Sequence, residues 1–123
     1  MAEHNVTGHW GEQVACDTLV AAGYAIVERN WRSGHYEIDI VAMKGQYIVF
    51  VEVKTREDDF VDPVDSIDAK KITRICRAAD VYIRANDIPH EAQFDIITIV
   101  GTPDNYHVEH IPDAFLPPLK TYR

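Results

Sequence analysis

The chain has 123 residues, an apolar fraction of 46% and a formal net charge of −8. This length is enough for one domain with a real hydrophobic core, and the apolar fraction excludes a disordered protein. No apolar run approaches the roughly 20 residues of a membrane-spanning helix, and the segment MAEHNVTGHW lacks the features of a signal peptide. We therefore expect a cytoplasmic protein without membrane contact. The acidic charge argues against nucleic-acid binding through overall charge.

The first predicted element is a helix from about Thr7 to Ala22, preceded by a loose polar segment over residues 1–6. Its apolar residues recur with the helical period, and Gly23 is a typical C-terminal stop. Glu12 falls in the first turns of this helix. The simplest interpretation is an acidic residue that complements the helix dipole.

Three strands joined by short connections are predicted next. The chain before Glu37 has the composition of a turn, formed by Asn30, Arg32, Ser33, Gly34 and His35, and Gly45 lies in a short hairpin connection. These signals favour an antiparallel meander. Since both faces of the third strand are largely apolar, it should be central and covered on both sides. The predicted strands are Tyr24–Trp31, Glu37–Met43 and Tyr47–Thr55.

A loop over Arg56–Pro63 leads into a second helix, predicted to start at Asp65 or Ser66 and to end near Ala85. Two further strands are predicted at Ala92–Val100 and Tyr106–Ile111. The helix makes a crossover long enough for the third and fourth strands to pair in parallel. We expect a single domain over residues 1–123, with a core of about 8–111 and an irregular tail over 112–123.

The second helix carries a basic stripe on its polar side. Such a stripe is explained sufficiently by a solvated surface. As a phosphate-contacting face it would offset the acidic total locally. The stripe consists of Lys70, Arg74, Arg77 and Arg84.

Charged residues interrupt the otherwise apolar central strand pair. Because strand side chains alternate, Glu37 and Asp39 should share one face, as should Glu52 and Lys54. Buried carboxylates are unfavourable unless they are paired or bound to metal. Two interpretations stay open from the pattern alone: a partly buried ion pair between Glu52 and Lys54 with Asp39 as its neighbour, or a functional site.

Histidines and cysteines offer weaker candidates. His107 and His110 are close in sequence, but no third ligand or helical context supports a zinc site. His35 is explained as a turn residue, with assistance to phosphate binding as the alternative. Cys16 and Cys76 lie in apolar helical contexts typical of core residues in a reducing compartment.

Several segments together resemble a known family. Asp39 followed by Glu52-Val53-Lys54 resembles the PD-(D/E)xK nuclease motif, with Ile38 in place of the proline. The order of WGEQVACDTLVAAGYAIVERNWR, EIDIVA, FVEVKTR and FDIITI resembles the YraN-like family of predicted endonucleases, which is similar to archaeal Holliday-junction resolvases. That family usually has glycine where this chain has Tyr36. The resemblance implies an α/β fold with an αβββαβ restriction-endonuclease-like core and a mixed central sheet flanked by helices.

The resemblance also directs the chemistry. Phosphodiester hydrolysis needs charge neutralisation and a nucleophile, and a divalent metal supplies both. Asp39 and Glu52 fit as ligands of Mg²⁺ or Mn²⁺, and the resemblance implies the Val53 carbonyl as a third ligand. Lys54 would orient the attacking water or stabilise phosphate charge. Glu12 resembles a helix-one glutamate of the resolvases that assists the metal.

Glu37 is a candidate for a further metal ligand or for a partner of a ligand. Together with Lys70, Arg74 and Arg77 as phosphate contacts, these residues predict a metal-dependent endonuclease acting on DNA, including branched DNA such as Holliday junctions. The alternatives are a non-catalytic or weakly active nucleic-acid-binding module of the same fold, and a structural or interaction protein, which the acidic charge favours. Since resolvases act as two-fold dimers, a homodimer is also expected, with the tail segment 115–119 as one contact.

Overall fold

A computed structural model describes residues 2–57 and 68–117, with side chains described from residue 9 onward. The five strands form one sheet in sequential order, in which the third and fourth strands are parallel and the other neighbours are antiparallel. The predicted αβββαβ core with a mixed sheet is confirmed, and a fifth strand extends it. The elements are α1 (Ala2–Ala21), β1 (Ala25–Ser33), β2 (Tyr36–Lys44), β3 (Tyr47–Arg56), α2 (Ala69–Ala85), β4 (Glu91–Thr102) and β5 (Asn105–Ile111).

Helix α1 begins at Ala2, so the expectation of a loose segment over residues 1–6 is wrong from Ala2 onward. Polar composition suggested an irregular segment. Once a helix has formed, however, each added residue gains a backbone hydrogen bond, and a polar turn can extend it. Within the described part of the chain, neither helix is both long and apolar enough to cross a bilayer.

The C-terminal end of α1 is fixed by Gly23, as predicted. Gly23 has a φ of 93°, and its N–H donates to the Val20 carbonyl at 3.0 Å. The Tyr24 N–H donates to the Leu19 carbonyl at 2.9 Å. This pair of bonds is a Schellman motif, in which glycine tolerates the left-handed conformation that ends the helix. The chain therefore turns directly from α1 into β1.

The two helices cover opposite faces of the sheet. Strand β3 contributes to the core on both faces, so its predicted central and doubly covered position is confirmed. On the α1 face the buried cluster is Ala15, Cys16, Leu19, Tyr24, Ile40, Ala42, Val49, Val51, Ile97 and Ile99. On the α2 face it is Ile38, Val41, Ile48, Phe50, Ile75, Ala78, Ala79, Tyr82 and Phe94.

Strand β1 extends to Ser33, and the turn before β2 contains Gly34 and His35. Asn30, Arg32 and Ser33 therefore lie in the strand, and their assignment to a turn was wrong. Asparagine suggested a turn because it tolerates the left-handed region. Asn30 does adopt a φ of 52°, but it does so inside the strand.

The side chains of β2 depart from regular alternation between the two faces of the sheet at Asp39. Regular alternation would place Ile38 and Ile40 on the same face of the sheet. Instead, Ile38 packs in the cluster under α2 and Ile40 packs in the cluster under α1. Asn30 lies across from this point, between the pairs Arg29↔Ile40 and Trp31↔Ile38. The alternation that we used to place Glu37 and Asp39 on one face therefore does not hold here.

Helix α2 begins at Ala69, later than predicted, and Asp68 is its N-cap. The Asp68 side chain accepts a hydrogen bond from the Lys71 N–H at 2.9 Å, which satisfies a free donor of the first turn. The predicted starts at Asp65 and Ser66 lie outside the described residues. So does most of the predicted loop, apart from Arg56, which ends β3, and Glu57.

Residues 112–117 form neither helix nor strand, as predicted, and the rest of the tail lies outside the described residues. The Ala114 N–H donates to the Phe94 carbonyl at 2.7 Å. Phe115 stacks on Phe94 with ring centroids 5.1 Å apart. Phe115 therefore packs on its own core, while Leu116 is 77% exposed.

Candidate active site

Two carboxylates lie where the pairing of β2 with β3 ends. The last pair of this ladder is Ile40↔Val51, and the adjacent residues in the two strands are Asp39 and Glu52. The Asp39 Oδ2 atom accepts a hydrogen bond from the Val53 N–H at 2.9 Å. In a strand, the N–H and C=O of one residue point towards the same neighbouring strand. The Val53 carbonyl therefore faces the same opening as Asp39.

The electrostatics of Asp39 are those of an uncompensated carboxylate. Burial and the nearby charge of Glu52 raise the pKa of Asp39 to about 7. The hydrogen bond from Val53 acts in the opposite direction, while Glu12 and Glu37 add smaller increases. Like charges disfavour the ionised form of a carboxyl group. A bound cation would remove this repulsion.

Glu52 is held by two lysines. Its Oε2 atom lies 3.7 Å from Lys54 Nζ and 3.0 Å from Lys71 Nζ. The side chains of Glu52, Lys54 and Lys71 are 13%, 24% and 30% exposed. The contact with Lys71 places Glu52 on the α2 side of the sheet. Glu52 and Lys54 are thus brought together as predicted, with an additional cation from α2.

Lys71 is a site residue that was not predicted from the sequence. The sequence shows two adjacent lysines, Lys70 and Lys71, at the start of α2. Because they are the same residue type, the sequence does not indicate which of them contacts Glu52. Burial lowers the pKa of Lys54, and the positive charge of the neighbouring Lys71 acts in the same direction. Although burial alone would lower it, the pKa of Lys71 is raised, and the Glu52 carboxylate at 3.0 Å is among the causes. Lys71 is therefore the more firmly charged lysine of the pair.

Glu12 approaches the site from the other face. It is 9% exposed, and its Oε1 atom accepts hydrogen bonds from Arg29 Nε at 3.0 Å and Asn30 Nδ2 at 2.9 Å. The neighbouring Gly11 allows α1 to pack closely on β3, because a Cβ atom at this position would collide with the side chain of Thr55. Glu12 is thus positioned by β1, and its charge contributes to the raised pKa of Asp39.

Glu37 lies further from the centre of the site. Its side chain is 63% exposed and forms an ion pair with Arg32 at 3.3 Å. Within the described residues, no hydrogen bond joins it to Asp39. Its charge makes the smallest of the contributions that raise the pKa of Asp39.

The donor set at the site suits a hard cation. Within the described ranges, no group of three or more His, Cys, Asp or Glu side chains is placed to hold a metal ion. Asp39, Glu52 and the Val53 carbonyl together offer two carboxylates and a neutral oxygen. Mg²⁺ prefers oxygen ligands and keeps several waters, so one or two protein carboxylates are sufficient for it. The residues present therefore fit Mg²⁺ or Mn²⁺ bound largely through water.

A groove lies between the β1–β2 turn and α2. Its volume is about 420 Å³, and we call it the basic groove; it is lined by His35, Tyr36, Ala69, Lys70, Thr73, Arg74 and Arg77. Three predicted phosphate contacts therefore line one groove. Arg84 does not share it and instead pairs with Asp80 at 3.3 Å.

A further buried carboxylate, outside the candidate active site, was not singled out in the sequence. Asp95 is fully buried in β4 and accepts hydrogen bonds from Tyr24 Oη at 2.8 Å, Gln93 Nε2 at 2.9 Å and the Asp113 N–H at 3.0 Å, with His110 Nε2 at 2.8 Å. Although burial opposes it, these partners, His110 first, lower the pKa of Asp95. The network joins α1–β1 to β5.

His107 and His110 lie in different surroundings, and so do the two cysteines. His110 is engaged by Asp95, while His107 is exposed. Cys16 and Cys76 are free thiols, Cys16 buried and Cys76 partly buried. Burial raises the pKa of both thiols.

Fold and site together define a mixed α/β protein with a nuclease-like αβββαβ core and a carboxylate pair at the end of its central strands. The profile of the uncharacterised protein family UPF0102 matches residues 11–99 of the chain. The chain belongs to this family, which confirms the resemblance to the YraN-like proteins.

Relatives align over nearly the whole chain. A UPF0102 protein of Bacteroides fragilis is 50% identical over 97% of this chain and 99% of its own length. A UPF0102 protein of Bacteroides thetaiotaomicron is 48% identical over the same shares of the two chains. A UPF0102 protein of Flavobacterium psychrophilum is 41% identical over 94% of this chain and 98% of its own length.

Proposed function

We propose that this protein is a divalent-metal-dependent endonuclease that hydrolyses phosphodiester bonds in DNA, including branched or otherwise structured DNA such as Holliday junctions. The observation that supports this most directly is the convergence of Asp39, Glu52 and Val53 at the end of the β2–β3 ladder. Repelling carboxylates beside an open backbone carbonyl form an oxygen-rich site that a hard cation would stabilise.

Asp39, Glu52 and the Val53 carbonyl would hold Mg²⁺ or Mn²⁺. The ion would supply charge neutralisation and a more acidic bound water. Asp39 is kept in place by the Val53 N–H, which leaves its second oxygen free of that bond. Glu52 is kept in place by the lysines beside it.

Lys54 is the proposed catalytic cation. It lies beside Glu52, and burial lowers its pKa. An ammonium group in this position would orient the attacking water or stabilise negative charge on the phosphate in the transition state. Glu12 assists from the α1 side by holding Asn30 opposite Asp39.

The proposed DNA contacts depend on a local cluster of cations and not on the net charge of the protein. The net charge of the chain is −8, but Lys70, Arg74 and Arg77 line one groove near the site. Clustered Lys and Arg side chains can bind phosphates and release counterions even on an acidic protein.

A cleavage screen tests the proposal. Labelled single-stranded, duplex, flap and four-way-junction DNA are incubated with Mg²⁺, Mn²⁺ or EDTA. We expect metal-dependent cleavage of at least one branched DNA, its loss in Lys54→Met, and its retention in the exposed-surface control Arg84→Gln. Absence of cleavage on every DNA with both metals would reject the nuclease assignment.

A non-catalytic nucleic-acid-binding module is the second candidate. It is favoured by the contact of Glu52 with Lys71 at 3.0 Å, which already neutralises one of the two carboxylates. In this case DNA binding would be salt-dependent and unaffected by EDTA, with no cleavage. A protein that binds no nucleic acid would instead be a structural or interaction protein.

We also propose a homodimer, since a four-way junction presents two strands to be cut. The stacking of Phe115 on Phe94 leaves Leu116 as the exposed apolar residue of the described tail. Sedimentation velocity should show a dimer that Leu116→Lys weakens. A monomer at high concentration, with and without junction DNA, would reject the dimer.

A further inference from the structure

The basic groove carries aromatic side chains as well as cations. The rings of His35 and Tyr36 lie against each other in a tilted arrangement, with centroids 4.4 Å apart and planes inclined by 34°. His35 is exposed, and Tyr36 is partly buried. Because Tyr36 supports the His35 ring from within the protein, the pair forms a preformed platform at the β1–β2 turn. Such a platform is suited to stack against another planar ring.

Among the described residues, the cations on the opposite wall have no ion-pair partner. Within residues 2–57 and 68–117, no ion pair involves Lys70, Arg74 or Arg77. All three side chains are exposed. On the same helix, Arg84 is paired with Asp80. The groove thus concentrates positive charge that is unpaired within the described ranges, in a protein whose net charge is −8.

The groove and the candidate active site share structural elements. Tyr36 and Asp39 lie on the same strand, β2. Lys70 lines the groove, and its neighbour Lys71 contacts Glu52. A nucleic-acid strand that occupied the groove would therefore lie at the end of the sheet where the carboxylates meet.

We propose that the basic groove binds an unpaired, single-stranded segment of DNA. This inference rests on the proposed nuclease function and specifies its substrate: DNA with an unpaired strand at the branch or end. Lys70, Arg74 and Arg77 contact the phosphates, and the His35–Tyr36 platform stacks on a base. In a duplex the base faces are already stacked and cannot reach such a platform, whereas single-strand binding sites combine cationic grooves with aromatic stacking.

Binding is measured by fluorescence anisotropy in EDTA, with a labelled single-stranded oligonucleotide and a blunt duplex of the same sequence. The single strand should bind more tightly. His35→Ala should weaken single-strand binding by about fivefold or more, because one stacked base is worth about 1–3 kcal/mol. Duplex binding should change little.

His107→Ala is the matched control, since His107 is also exposed but lies on β5, away from the groove. It should leave both affinities unchanged. Tighter binding of the duplex than of the single strand would overturn the proposal. Equal effects of His35→Ala and His107→Ala would overturn it as well, since the platform would then contribute nothing.

The EDTA measurement separates this proposal from the nuclease function. If cleavage is metal-dependent but single-strand affinity is insensitive to His35→Ala, the groove does not bind the single strand as proposed, while the nuclease function is supported. If single-strand binding depends on the groove but no DNA is cleaved, the proposed single-strand site is supported and the nuclease function is rejected.

Discussion

Asp39 accepts a hydrogen bond from the Val53 N–H at 2.9 Å, just beyond the last pair of the β2–β3 ladder. The carboxylate thus takes the place of a carbonyl from the partner strand. Regular pairing would have used both the N–H and the C=O of Val53. The separation of the strands exposes a backbone carbonyl beside two carboxylates, which is the structural basis of the proposed metal site.

The raised pKa of Asp39 predicts how the stability of the metal-free protein depends on pH. Its folded-state pKa of about 7 lies above the ordinary value of about 3.9 for an unfolded chain. The stabilising contribution is therefore fully present below about pH 4 and is lost as the pH rises through about 7. Urea melts in EDTA should show this loss in the wild type but not in Asp39→Asn.

Asp80→Asn is the control for this measurement, because Asp80 lies on the exposed side of α2 with its side chain 45% exposed. It should retain the wild-type pH dependence. The same slope in Asp39→Asn as in the wild type would show that Asp39 titrates normally in the folded protein.

The contact between Glu52 and Lys71 predicts opposite effects of neutralising the two carboxylates. Asp39→Asn should be neutral or stabilising in EDTA near neutral pH, because it removes repulsion. Glu52→Gln should destabilise by about 1–2 kcal/mol, less than for a fully buried pair, since Lys71 is 30% exposed. A double-mutant cycle with Lys71→Met measures the coupling. Additive effects would mean that the ion pair contributes nothing.

The basic stripe predicts the salt dependence of DNA binding. The double variant Arg74→Glu/Arg77→Glu should weaken single-strand binding and reduce the slope of log K against log salt by about 0.7 per lost phosphate contact. Arg84→Gln is the control, because Arg84 is paired with Asp80 outside the groove. If affinity and slope are unchanged in the double variant, the stripe is a solvated surface that does not contact phosphates.

The buried network around Asp95 predicts that stability changes with pH in the direction opposite to that expected for Asp39. Its pKa is lowered chiefly by His110 against the effect of burial, so its contribution is present above about pH 4 and is lost as the pH falls through its folded-state pKa. Asp95→Asn should destabilise by about 2 kcal/mol or more, because an amide group replaces an acceptor. Urea melts beside the exposed control Asp104→Asn test this. Equal stability of the two variants would contradict it.

Much of the fold follows from local patterns in the sequence. The period of the apolar residues and the glycine at the end of α1 predicted the elements and their order. The parallel pairing of β3 with β4 followed from the length of the crossover. The approach of Asp39 to Glu52 could be predicted because the β2–β3 turn sets the register of these strands.

Other features depend on contacts that a local pattern does not contain. Lys71 reaches Glu52 only because of where α2 begins and how it rotates against the sheet, and the adjacent Lys70 has the same residue type. The change of faces at Asp39 lies opposite Asn30, whose left-handed conformation local preference assigns to turns. The partners of Asp95 include Tyr24, which is 71 positions away in the chain.

Calorimetric titration of the protein with Mn²⁺ tests the central claim most directly. The wild type and the controls Lys54→Met and Asp80→Asn should bind the ion, and binding should raise the melting temperature. Asp39→Asn should lose binding or weaken it at least about tenfold, as expected for removal of a ligand. If the wild type binds no Mn²⁺ with or without DNA, or if Asp39→Asn binds it as the wild type does, Asp39 and Glu52 do not form a metal site.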